Sequence, residues 1–139
     1  MKRIQTRLFL AVVTLGLITP GLTISSHAAT WHQGTPKGLR GNWTRKAHAG
    51  LGKNRFAYTE GTRITKTHFS GYGLGDPFSL NHLKYRKLGH HSYALKGKEY
   101  IYSHKTNQIK VVRSGQRLKW RITHPKAFQN SYSSWFLKK

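Results

Sequence analysis

Only three acids, Glu60, Asp76 and Glu99, are available for any proton-transfer chemistry that needs carboxylates. Paired acids divide acid and base roles when their environments differ, and these three are spread over 40 residues, so a pair would have to be assembled by the fold. Ordinary ion pairs with the many nearby cations are the expectation. Histidine is plentiful beyond residue 28, at His32, His48, His68, His82, His90, His91, His104 and His124. No two have the helical three- or four-residue spacing of a zinc protease, and His90 and His91, if in a strand, point to opposite sides. Carboxylates that could orient metal-bound imidazoles are nearly missing, so neither a metal nor any other cofactor is expected. A serine triad would have to borrow one of the three acids, and there is no G-x-S-x-G. AGLGKN at 49–54 and GYGLGD at 71–76 lack the spacing and context of phosphate loops and read as turns. These features argue against an enzyme. The absence of cysteine excludes thiolate chemistry and leaves the fold to its hydrophobic core.

What remains is a dense interleaving of cations with aromatic and apolar residues, as in LKYRKLGHH and RLKWR. The chain carries 25 Lys and Arg. Lys2, Arg3 and Arg7 precede an apolar run of 11 residues, Leu8 to Ile18, followed by Pro20, Gly21 and the small residues Ser26 and Ala28. That is the layout of an export leader with a signal helix, cleaved after Ala28; the run is short of the ~20 residues that span a bilayer. Removing it leaves 22 cations against three acids, an excess of nineteen over residues 29–139. A chain so charged repels itself and is drawn to polyanions by salt-sensitive counterion release. Outside a bacterium these are anionic cell-wall polymers such as teichoic acid, and membrane surfaces. Nucleic acid is not expected as a partner, because export makes that encounter uncommon.

The elements that must hold these charges read as strands. All four Trp, all seven Tyr and five of six Phe follow the leader, with glycine marking turns. The spacing predicts about seven strands: 39–47, 63–72, 81–88, 92–96, 100–104, 108–113 and 116–123, with a hairpin turn at Lys105-Thr106-Asn107. The last has the cleanest period of two. Leu118, Trp120 and Ile122 face the core, and Arg117, Lys119 and Arg121 stand together on the wet face. Lys84, Arg86 and Lys87 form a second cluster, and Arg40 faces out beside a core Trp43. These seven cations are the candidate polyanion contacts. Trp135, Phe136 and Leu137 are expected to cap an open barrel end. The sequence predicts one all-β domain over 29–139, a small antiparallel up-and-down barrel or, alternatively, a β-sandwich, acting as a monomer.

The start of that domain carries Trp31, His32, Gly34, Thr35, Pro36, Lys37, Leu39, Arg40, Gly41 and Trp43, a W-H-x-G-T-P-K-x-L-R-G-x-W pattern. It resembles the opening of small cationic secreted proteins of lactobacilli, and implies an exported bacterial protein with one β-rich domain and no known enzyme activity. Gly41-Asn42-Trp43 also resembles the G-x-W at the start of lipocalin-type barrels, where the Trp plugs the closed end. That likeness implies a barrel that holds a small apolar ligand, the alternative to electrostatic adhesion at the cell wall.

Overall fold

A computed structural model describes residues 30–139; the leader and signal helix expected over 1–28 lie outside the described residues. Nine strands follow in order: β1 His32–Gln33, β2 Gly41–Ala49, β3 Phe56–Ile64, β4 Phe69–Tyr72, β5 Phe78–Gly89, β6 Ser92–Glu99, β7 Thr106–Ser114, β8 Arg117–His124 and β9 Phe136–Lys138. Each of β2 to β8 pairs antiparallel with its successor, and β9 returns to β2, so eight strands close an up-and-down barrel. β1 adds two rungs against β5, below the short β4. Closure removes the sheet edges that a sandwich would have to protect.

Alternation places the core. Trp43, Ile64, Phe69, Leu80, Leu83, Leu95, Ile109, Val111 and Leu118 point inward and are buried together. Phe78, Tyr85, Tyr93, Trp120 and Ile122 pack against them. Trp120 is boxed by Phe69 edge-on at 5.0 Å and by Phe78 stacked at 5.8 Å. Gly71 lies under that indole: a Cβ there would sit 2.6 Å from the ring.

Four expected elements differ. The strand expected over 63–72 is broken by the turn at Thr65–His68 and divides between β3 and β4. Residues 100–104 form a loop, because the Glu99 carboxylate accepts from the amides of Ile101, Tyr102 and Ser103 that a ladder would need. Thr106 and Asn107 consequently belong to β7, opposite Lys98 and Gly97, and are no turn. Trp135, Phe136 and Leu137 do not cap an end. Phe136 enters the core at 4 % exposure, Leu137 is 56 % exposed, and the backbone of Phe136–Lys138 closes the barrel.

The loops at 34–40, 65–68, 90–91 and 115–116 share one end of the barrel; those at 50–55, 73–77, 100–105 and 125–129 share the other, and residues 130–135 run back along β8. The first end is plugged. Residues 34–40 cross it, with Leu39 buried and the Trp43 indole N–H donating to the Leu39 carbonyl at 2.8 Å. Gly41, at φ 128°, turns the chain from the plug into β2, a conformation that L side chains rarely adopt. Arg113 donates to the Gly38 carbonyl at 2.6 Å and lies over the Trp43 ring, with the Lys138 ammonium also facing that ring. The second end is an open mouth.

Candidate polyanion-binding surface

The outward residues of β5 to β8 follow from the same alternation that fills the core. Register then aligns them. Arg86 lies opposite Ala94, Ala94 opposite Lys110, and Lys110 opposite Arg121. One row away, Lys84 faces Lys96. Arg117 and Lys119 continue the outer face of β8. The two clusters read from the sequence, Lys84 with Arg86 and Arg117 with Lys119 and Arg121, are therefore parts of one band. Arg86 and Arg121 are three strand spacings apart, roughly 14 Å along the sheet.

Lys96 and Lys110 join the clusters, and sequence reasoning missed them. Their position outside was legible from alternation, but the alignment that makes them a bridge exists only once strand pairing is known. Lys87 does not join the band: it pairs with Tyr93 and falls on the opposite parity from Arg86. Nor does Arg40, whose guanidinium is turned back to Thr35, donating to its carbonyl at 2.7 Å and its hydroxyl at 3.3 Å. It staples the plug.

Aromatic side chains lie on the band. Trp31 sits over Lys96 at 4.3 Å and Arg86 at 5.0 Å. From the tail, Tyr132 stacks on Lys119 and Arg121, and Trp135 on Arg117 and Lys119, at 4.6 to 5.3 Å. Ring faces attract cations and hold long side chains in defined positions without neutralising their charge. The Nε–H groups of Arg86 and Arg121 are buried beneath this layer and have no hydrogen-bond partner.

No acid relieves the band. Across β5–β8 the single carboxylate is Glu99, which is buried and inward. Burial alone would raise its pKa; the amides of Ser103, Ile101 and Tyr102 and the Ser103 hydroxyl outweigh that and lower it from 4.5 to about 2. Glu60 pairs with Arg45, the one ion pair among the described residues. Asp76 stands exposed on the β4–β5 loop, where the phenol of Tyr102 is pushed up by desolvation and then by the charge of Asp76. All three acids thus gather toward the mouth, away from the band.

The mouth holds a pocket of about 340 Å³ lined by Phe78, Ile122, Phe128, Tyr102, Asp76 and Glu99 among others. The histidines do not converge on a site: among the described residues no three His, Asp or Glu side chains could share a metal ion. His90 and His91 form the β5–β6 turn, so their rings lie 5.0 Å apart instead of on opposite faces of a strand. The glycine cluster at 49–54 is a turn at the mouth, whereas Gly71 and Tyr72 of the second cluster belong to β4.

No family model, curated protein or solved structure matches the chain.

Proposed function

We propose that this is a secreted, non-catalytic protein that adheres electrostatically to cell-surface polyanions, phosphate-rich wall polymers such as teichoic acid or an anionic membrane surface. One observation carries the reading: seven cations, Lys84, Arg86, Lys96, Lys110, Arg117, Lys119 and Arg121, occupy one continuous outer face that contains no acid. Aromatic rings hold five of them in place. A rigid row of charge releases counterions from a linear polyanion with little ordering cost, so affinity falls steeply with salt.

The test is binding to immobilised teichoic acid across a salt series. The K110Q/K119Q variant is expected to flatten the slope of log K against log salt by about two, one per lost contact. The K46Q/R63Q variant removes two exposed cations from the outer face of β2 and β3 and should flatten it less. Equal effects from both pairs would remove the band as the site, and salt-indifferent binding would remove the function.

The mouth pocket supports a second reading, a small apolar ligand held among Phe78, Ile122 and Phe128. Trp120 stacks on Phe78, so a fatty acid titrated into the pocket should shift tryptophan emission saturably. No saturable change would dismiss it.

A further inference from the structure

Ten large hydrophobic residues are exposed among the described residues, and they are not scattered. Six, Leu51, Leu74, Tyr100, Ile101, Tyr102 and Phe128, lie in the four loops of the open mouth. None lies in the four loops of the plugged end. Leu51 is 89 % and Phe128 62 % exposed, so these are projecting tips. Isolated exposed apolar residues need no explanation; six ringing one opening do.

Cations flank the tips. Lys53 and Arg55 follow Leu51, Lys105 follows the Tyr100-Ile101-Tyr102 run, and Lys126 precedes Phe128, all exposed. Of the acids at this end, Glu60 is paired with Arg45 and Glu99 is saturated by the loop it anchors, leaving Asp76 as the one exposed carboxylate. A second copy of the chain is a poor occupant, because both partners would bring the same large positive charge to the contact. An anionic lipid interface suits both features. Aliphatic and aromatic tips enter the acyl boundary while neighbouring Lys and Arg meet the headgroups, and a fluid surface accepts prongs that are spaced around an opening.

We propose that the four mouth loops are a membrane-docking rim that inserts Leu51, Ile101, Tyr102 and Phe128 into the interface of an anionic bilayer. The proposal deepens the adhesion reading and rests on it for the long-range attraction. It adds an orientation, mouth toward the lipid, with the cationic band left on the side wall.

The full chain is expressed with its leader and its final N-terminus is read by mass spectrometry. Sedimentation with phosphatidylglycerol and phosphatidylcholine vesicles is compared for the wild type and L51S/F128S, with soluble polyphosphate binding measured alongside. The double variant should lose roughly tenfold or more of its partition into phosphatidylglycerol vesicles, while its polyphosphate affinity stays unchanged. Because the chain has no cysteine, an environment-sensitive dye can be placed at Leu51→Cys in the rim or at Ser114→Cys at the plugged end. The dye at position 51 should shift to the blue on vesicles and the dye at position 114 should not. Vesicle binding unaffected by the double substitution, or equal shifts from the two dyes, overturns the docking rim and leaves adhesion standing. A wild type that binds neither vesicles nor polyphosphate overturns both.

Discussion

The two ends of the barrel are built from the same residue types and put them to opposite uses. At the plugged end Trp43 is 0 % exposed. Its indole N–H is bonded to Leu39, and cations from β7 and β9 lie over its face. At the mouth Phe128, Tyr102 and Leu74 stand in solvent, and the polar groups serve to hold loops. An end that satisfies its own aromatics stabilises the molecule. An end that leaves them unsatisfied keeps its binding capacity for something else.

This contrast can be broken in three places, in descending order of effect. Trp43→Ala should cost about 4 kcal/mol in urea unfolding, since it empties the plug and strands the cations above it. A small loss there would mean that the plugged end is decoration. Glu99→Gln comes next, at about 2 kcal/mol, because charge-assisted bonds from three consecutive amides become neutral ones. Its pH dependence has a defined sign. The folded pKa, about 2, lies below the ordinary 4.5, so the stabilisation is complete above about 4.5 and drains away as pH falls toward 2. The wild type should lose stability through that window and the variant's curve should be flatter there; parallel curves would show that the loop does not depend on the charge. Last, Leu51→Ser should leave stability within about 0.5 kcal/mol of the wild type, as expected of a residue that packs on nothing. A larger loss would make the rim structural and erase the difference between the ends.

How much of this could be read from the chain differs from strand to strand. β8 was fully legible, because Leu118, Trp120 and Ile122 alternate with cations without interruption. β3 was half hidden. Its inward positions include Tyr58, Glu60 and Thr62 as well as Ile64, so the face that looks into the mouth is polar and gives no alternation to detect. β9 was missed because three residues carry no period; its identity comes from the partners on either side. The charged band was visible as two separate groups. Joining them required the pairing of Arg86 through Ala94 and Lys110 to Arg121, a long-range fact that local sequence does not contain. Arg40 shows the converse: it was expected to face out, but the hydroxyl and carbonyl that claim its guanidinium lie at Thr35, a buried residue outside any strand pattern.

β9 meets β2 through two register pairs and β8 through two more, whereas β2 and β3 share nine. The cylinder is a wide ribbon fastened by a narrow clasp, and fastening it joins Trp43 to Lys138 across almost the whole described chain. Such a contact forms late and releases early, so amide protons along 136–138 should be the first in any strand to exchange with solvent. When the clasp slips, Phe136 leaves the interior with it, and the side wall opens beside Trp43 and Leu118 with the rest of the ladder still zipped.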